Sequence, residues 1–184
     1  AQIVVENKTM KYTYEDYCKI SNDKRYELIE GELLMTPSPV TRHQRISRRL
    51  EFILEKFITK NNLGELFDAP YDVYFDNENV VQPDLLFISK DSLHIIGEKN
   101  VHGAPDLVIE IISENSAYRD MVQKKKLYAK FGVKEYWVVI PEGEEIEIYT
   151  LKDKTFQLYK TYGKDNTLES SLLEGLKIGL IDIF

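Results

Sequence analysis

The chain has little cysteine and no long hydrophobic run. Cys18 is the one cysteine among 184 residues, which excludes an internal disulfide bond and favours a reducing compartment. The longest apolar stretches, such as LVIEII, are far too short to span a bilayer, and the first residues lack the basic and apolar regions of a signal peptide. We therefore predict a cytoplasmic protein without membrane association.

The chain also has fewer basic residues than acidic ones. The net charge is −7, which argues against indiscriminate binding to nucleic acid, so an enzyme acting on a polyanion would have to gather its basic residues locally. Such clusters also occur on ordinary solvated helix faces, so both interpretations stay open. Two segments concentrate basic residues, namely Arg42, Arg45, Arg48 and Arg49, and Arg119, Lys124, Lys125 and Lys126.

Helical and extended patterns alternate along the chain without a linker, a repeat or a low-complexity segment, which predicts a single domain over residues 1–184. Helices are predicted over residues 13–20 with Thr13 as N-cap, over residues 42–60 with a capping box at Thr41 and Gln44, and from Ser116 to Phe131. The extended segments are RYELIEGELLM with a turn near Gly31, PYDVYF, VVQPDLLFIS, PDLVIEIIS, EYWVVIP, EIEIYTL and TFQLYKTY. This order predicts an α/β fold with a central mixed sheet flanked by helices.

Two carboxylates interrupt apolar strands. Glu110 stands in the middle of LVIEII, where a charge is costly unless it is paired, hydrogen-bonded or bound to a metal. Asp84 follows Pro83 at the start of LLFIS, a position that is unremarkable by itself. Glu110 could also point outward or meet a basic partner.

Lys124 is expected on the inward face of the second long helix. Met121, Lys124, Tyr128 and Phe131 are spaced by three, four and three residues, so they share one stripe, whereas Lys126 points away. Two alternatives remain open: the lysine could extend out of the stripe to solvent, or it could pair with Asp120 four residues earlier.

Strand geometry decides which acid could join Glu110. Asp106 lies four residues away on the same strand, roughly 13 Å at 3.3 Å per residue, which is too far to share a metal. Asp84 could lie beside Glu110 if their strands pair, because neighbouring strands are about 4.8 Å apart. Two adjacent carboxylates favour a hard divalent cation such as Mg²⁺.

These residues resemble the PD-(D/E)XK nuclease superfamily, in which a Pro-Asp pair is followed by an acid-x-Lys triplet. Pro83-Asp84 and Glu110-Ile111-Ile112 match, but Ile112 stands where the lysine should be. A narrower resemblance covers nearly the whole chain. It rests on RYELIEGELLMTPSP, the helix opening at His43, VQPDLLFIS, GAPDLVIEIISENS, D-x3-K-x3-Y from residue 120, and GVKEYWVV. These blocks resemble the Uma-type ("Uma-two") endonuclease-like family.

The family resemblance implies a restriction-endonuclease-like fold in which Lys124 replaces the missing strand lysine. It also adds Glu27 and His43 as candidate site residues. Glu27 could instead be an exposed strand residue, and His43 a packing or capping histidine.

Together these features predict an endonuclease that hydrolyses DNA with Mg²⁺ or Mn²⁺. Asp84, Glu110 and the Ile111 carbonyl would ligate the metal, and Lys124 would lie near the attacking water and the phosphate. The DNA backbone would contact Arg42, Arg45 and Arg49, and a homodimer would supply two active sites for a double-strand cut. The alternatives are a nucleic-acid-binding module without activity, and a partner-binding protein in which the acids and Lys124 form a structural ion cluster.

Overall fold

The structure, a computed structural model, describes residues 10–113 and 117–184, except for the side chains of residues 117–120. Within these ranges it contains three α-helices and thirteen strands. The helices are α1 (Tyr14–Cys18), α2 (Thr41–Lys60) and α3 (Ala117–Phe131). The strands are β1 (Arg25–Ile29), β2 (Glu32–Thr36), β3 (Gly64–Asp68), β4 (Val73–Asp76), β5 (Asn79–Val81), β6 (Leu85–Ser89), β7 (Val101–His102), β8 (Leu107–Ile111), β9 (Glu135–Ile140), β10 (Glu145–Lys152), β11 (Thr155–Gly163), β12 (Thr167–Glu169) and β13 (Lys177–Gly179).

The three predicted helices are present, with differences at their ends. Thr13 caps α1 in a reciprocal capping box with Asp16, but the helix ends at Cys18 rather than near residue 20. The capping box predicted at the start of α2 is wrong. Thr41 is already helical, and the N-cap is Val40, whose extended backbone carries no side chain that can accept a hydrogen bond.

The third helix ends at Phe131 as predicted, because Gly132 adopts a left-handed conformation with φ 93°. Its predicted cap, Ser116, lies outside the described residues. The turn predicted near Gly31 joins β1 to β2, and both Glu30 and Gly31 have positive φ, as a tight two-residue hairpin requires.

The strands form two large mixed sheets. A five-stranded sheet has the order β2-β1-β5-β4-β7 and a six-stranded sheet has the order β11-β10-β9-β8-β6-β3, with a small β12-β13 pair beside them. The α/β fold with mixed sheets flanked by helices is therefore confirmed, although the strands divide between two large sheets rather than one. The short strands β3, β7, β12 and β13 were not predicted.

The six-stranded sheet separates two hydrophobic cores, because its side chains alternate between two faces. One face packs α2 residues such as Leu50 and Leu54 against Ile109 and Trp137. The other face joins the core that contains α3 and part of the five-stranded sheet, with Val108 among its members. Glu110 has the same parity as Val108, so it projects toward α3.

A short crossing between the sheets positions the candidate site. The predicted extended segment VVQPDLLFIS divides into β5, in the five-stranded sheet, and β6, in the six-stranded sheet. The intervening residues are Gln82, Pro83 and Asp84, and proline lacks the amide that continued strand pairing would need. Gln82 therefore directly follows β5 of one sheet, while Asp84 directly precedes β6 of the other.

Candidate active site

Asp84 and Glu110 meet on neighbouring strands. Strands β6 and β8 pair antiparallel with Leu85 opposite Ile109, and the next position along this register places Asp84 opposite Glu110. The strand pairing that would bring Asp84 beside Glu110 is therefore present. The Ile111 main-chain N–H donates a hydrogen bond to Asp84 Oδ2 at 2.7 Å, which fixes one carboxylate against the strand that carries the other.

Glu110 is a buried carboxyl group with two donors on one oxygen. Its Oε1 accepts hydrogen bonds from Lys124 Nζ at 2.9 Å and from the Tyr128 hydroxyl at 2.6 Å. Burial raises the pKa of Glu110 to about 7, against the opposing effect of the Lys124 ammonium. The nearby carboxylates of Asp84 and Glu27 raise it further. A carboxyl group in this environment can bind either a proton or a cation near neutral pH.

Lys124 lies between two carboxylates. Its ammonium is 2.7 Å from Glu27 Oε1 and 2.9 Å from Glu110 Oε1, and the side chain is 8% exposed. Burial lowers the pKa of Lys124, but the two carboxylates outweigh burial and raise it overall, which keeps the group charged. The predicted inward orientation is confirmed, and the alternative in which Lys124 reaches solvent is wrong. The side chain of Asp120 lies outside the described residues.

The neighbouring lysines behave differently from Lys124. Lys126 is exposed, as its position on α3 predicted, and Lys125 places its ammonium 3.5 Å from the centre of the Tyr149 ring. The three lysines of the second basic segment therefore do not form one cationic surface.

Glu27 is part of the same cluster. It is 7% exposed, so the alternative that it is an exposed strand residue is wrong. Besides its ion pair with Lys124, its Oε1 accepts a hydrogen bond from the main-chain N–H of Gln82 at 2.8 Å. The crossing between the sheets thus fixes Glu27 beside Lys124, which also contacts Glu110.

The imidazole of His43 contacts the Asp84 carboxylate. Its Nε2 lies 3.2 Å from Asp84 Oδ1, and its buried Nδ1 has no hydrogen-bond partner among the described residues. Burial lowers the pKa of His43, but the hydrogen bond and the charge of Asp84 outweigh it and raise the pKa overall. His43 therefore contacts a site carboxylate as well as packing at the start of α2.

The predicted DNA-contacting arginines lie away from this cluster. At about 100° per residue, Arg42, Arg45 and Arg49 fall on the side of α2 opposite His43 and Ser47, which line the cavity. The Arg42 guanidinium is 3.6 and 3.7 Å from carboxylate oxygens of Glu142 and Glu144. Arg49 donates to the main-chain oxygen of residue 183.

Asp106 is excluded from the cluster, as strand geometry predicted. It is 3% exposed, with Lys134 Nζ 2.8 Å from its Oδ1 and the Ser89 N–H donating to its Oδ2. Burial raises the pKa of Asp106, but the hydrogen bonds from Lys134 and Ser89 outweigh burial and lower it overall. Asp106 therefore stabilises the fold at the opposite end of β8.

A cavity of about 350 Å³ opens onto the cluster. Its lining includes Glu27, His43, Asp84, Glu110, Ile111 and Lys124, together with Arg25, which the sequence had not singled out. The lining therefore brings together every predicted site residue except the three arginines of α2.

The donor set fits Mg²⁺ or Mn²⁺ better than a metal that needs a full cage of side chains. The described residues contain no group of three or more His, Cys, Asp or Glu side chains arranged to hold an ion. Mg²⁺ is usually held by one or two carboxylates, with waters and substrate phosphates completing its shell. Asp84 and Glu110 supply two such carboxylates at the cavity wall. Ile111 contacts Asp84 through its N–H, and its carbonyl remains a predicted ligand.

The comparisons agree with this architecture. A model of the Uma2 family, described as "Putative restriction endonuclease", matches residues 12–181, and the chain belongs to this family. A crystal structure described as a putative nuclease belonging to DUF820, from Anabaena variabilis, is similar with a TM-score of 0.78 and 17% identity. The match covers 94% of this chain and 97% of the other. No curated protein matches. Among the described residues, the helices are too short or too polar to cross a membrane.

Proposed function

We propose that this protein is a metal-dependent endonuclease that hydrolyses phosphodiester bonds in DNA. One observation carries the proposal: Asp84, directly before β6, and Glu110, on the paired strand β8, both line one cavity, with the Lys124 ammonium 2.9 Å from Glu110. Family membership supports a nuclease, and the cavity supplies the place where a phosphate would bind.

Asp84 and Glu110 would hold Mg²⁺ or Mn²⁺, with the Ile111 carbonyl as a further oxygen donor. When bound, the cation would act as a Lewis acid toward the phosphate and the attacking water. His43 orients the Asp84 carboxylate through Oδ1, while the Ile111 N–H holds Oδ2. These two contacts fix the direction in which the carboxylate faces the cavity.

Lys124 has two roles in this proposal. It holds Glu110 Oε1 together with Tyr128, and it places a positive charge beside the position of the phosphate. Glu27 in turn fixes the ammonium from the other side at 2.7 Å. A buried, doubly held cation keeps one geometry, which is the property that electrostatic stabilisation of a transition state requires.

The test is cleavage of supercoiled plasmid DNA with Mg²⁺, with Mn²⁺ and with EDTA. We expect nicked or linear product with either metal, none with EDTA, and none from Asp84→Asn or Glu110→Gln. Asp91→Asn is the matched control, because Asp91 is an exposed acid outside the cavity lining. Cleavage by both site variants at the wild-type rate would contradict the proposal.

A second candidate is a DNA-binding module of the same fold that does not cleave. The full pairing of Lys124 with Glu27 and Glu110 favours it, because these residues already satisfy each other without a metal. This candidate predicts equal DNA binding in Mg²⁺ and in EDTA, with no cleavage in either.

A further inference from the structure

Arg25 enters the cavity from the five-stranded sheet. It stands two residues before Glu27 on β1, so the two side chains lie on the same face of the strand. Both line the cavity that contains Asp84 and Glu110. Arg25 and residues 35–39 line both this cavity and an adjoining groove that residues 23 and 24 complete, so Arg25 stands at the boundary between the two.

A chain of hydrogen bonds holds the Arg25 guanidinium in place. Its Nε donates to Gln82 Oε1 at 3.0 Å. Gln82 is itself fixed, because its Nε2 donates to Asp72 Oδ1 at 2.8 Å and its main-chain N–H donates to Glu27. Asp72 accepts a second hydrogen bond from the Tyr17 hydroxyl at 2.8 Å. Since a carboxylate only accepts, Asp72 requires the amide nitrogen of Gln82, which leaves the amide oxygen for Arg25.

The charge of Arg25 is not neutralised in the way that the charge of Lys124 is. Lys124 has carboxylate oxygens at 2.7 and 2.9 Å, whereas no carboxylate of the described residues lies within ion-pair distance of the Arg25 guanidinium. Its only hydrogen bond within those residues uses Nε, so both terminal NH₂ groups remain available. Two adjacent NH₂ donors in one plane match the two non-bridging oxygens of a phosphodiester.

We propose that Arg25 binds a phosphodiester that neighbours the cleaved phosphodiester on the same nucleic-acid strand. Gln82 is the residue that positions Arg25 for this contact. The strand would then run from the cavity into the groove of residues 23–25 and 35–39. This inference rests on the proposed function for the identity of the substrate. It places the contact with the DNA backbone at the mouth of the cavity, rather than at the arginines on the far side of α2.

The test measures the affinity of a fluorescein-labelled 20-base-pair duplex by fluorescence anisotropy, with Ca²⁺ in place of Mg²⁺, over a range of salt concentrations. For Arg25→Gln we expect about tenfold weaker binding and a log–log salt slope smaller by about one, the loss of one phosphate contact. Lys152→Gln is the control, because it removes the same single positive charge from an exposed residue at the end of β10, outside the cavity.

Two further variants separate charge from position. Gln82→Leu keeps the Arg25 charge but removes its acceptor, so we expect weaker binding with an unchanged salt slope. Arg25→Lys keeps the charge without the planar fork and should also bind more weakly with the wild-type slope. It replaces Arg25→Gln if that variant does not fold, as judged by its circular dichroism and melting temperature.

Three outcomes would overturn the inference: unchanged affinity and slope in Arg25→Gln, an equal loss in Lys152→Gln, or a loss confined to Arg45→Gln and Arg49→Gln. Cleavage is scored separately on the wild-type protein. If that protein binds DNA through Arg25 but cuts nothing with Mg²⁺ or Mn²⁺, the proposed hydrolysis fails and the Arg25 contact is supported.

Discussion

Replacing Lys124 with methionine is the perturbation that tests the ion cluster most directly. Methionine preserves much of the volume of the lysine stem but removes the ammonium that lies 2.7 Å from Glu27 and 2.9 Å from Glu110. Both carboxylates would then remain buried without their common cation. Breaking a buried pair by removing one partner costs about 3–5 kcal/mol of unfolding free energy. For a chain of this length, that corresponds to a fall in melting temperature of roughly 6–20 °C.

The assay is urea unfolding in EDTA, followed by the fluorescence of Trp137. This residue is the single tryptophan of the chain and is fully buried, so its emission reports on the core of the six-stranded sheet. Lys126→Met is the control, because Lys126 is an exposed lysine on the same helix and its removal should change stability by less than about 0.5 kcal/mol.

A second substitution separates the loss of charge from the loss of packing. Adding Glu27→Gln to Lys124→Met removes one of the unpaired carboxylates, so the double variant should be more stable than Lys124→Met alone. The cost of Lys124→Met should also shrink at low pH, where Glu110 is protonated. A loss below about 1 kcal/mol at pH 8, or a double variant that is less stable than the single one, would refute the reasoning.

The remaining predictions concern protons, metal and the vacant lysine position. The pKa of Glu110 is raised from 4.5 to about 7, so the folded protein binds this proton more tightly than the unfolded chain does. The free energy of unfolding in EDTA should therefore fall as the pH rises from about 4.5 to 7, and urea titrations of Glu110→Gln should lack this pH dependence. Adding Mg²⁺ should raise the melting temperature more at pH 8 than at pH 6, and Asp84→Asn should abolish that rise. Ile112→Lys should restore part of the cleavage lost in Lys124→Met, and no gain would show that the two positions are not equivalent.

Much of the site could be predicted because its residues violate local patterns. Glu110 stands in a strand that is otherwise buried and apolar, and Lys124 stands on an apolar helix stripe, so each was visible from its neighbours along the chain. Strand spacing then selected Asp84 over Asp106. Burial patterns of this kind depend on short-range periodicity, which a single sequence displays directly.

The rest of the site depends on contacts that are distant along the chain. In β1 the acidic Glu27 alternates with apolar residues, so periodicity predicts that it faces solvent, and its partner Gln82 is 55 residues away. Arg25 is recognised only through the amide of that same Gln82. The arginines of α2 were predicted at the site because they lie on one flank, but the flank that faces the cavity depends on how α2 packs on the sheet.

A comparison with a second buried acid argues that the cluster around Glu110 serves more than the fold. Glu135, on the strand β9 beside β8, is 1% exposed and accepts hydrogen bonds from neutral donors on both oxygens. These donors are the Trp137 indole, the Ser170 and Ser171 hydroxyls and the Leu172 N–H.

This chain can therefore satisfy a buried carboxylate without a cation where the need is structural. Around Glu110, by contrast, the chain places a cation among several carboxylates. Two acids share one ammonium, the carboxylate of a third, Asp84, has polar contacts among the described residues only with the His43 imidazole and the Ile111 N–H, and burial raises the pKa of Glu110 to about 7. An excess of carboxylates at a cavity wall lowers stability unless another cation enters, and perturbed groups of this kind are typical of functional sites. The arrangement is what a site would need if its charge is completed by a metal rather than by the protein itself.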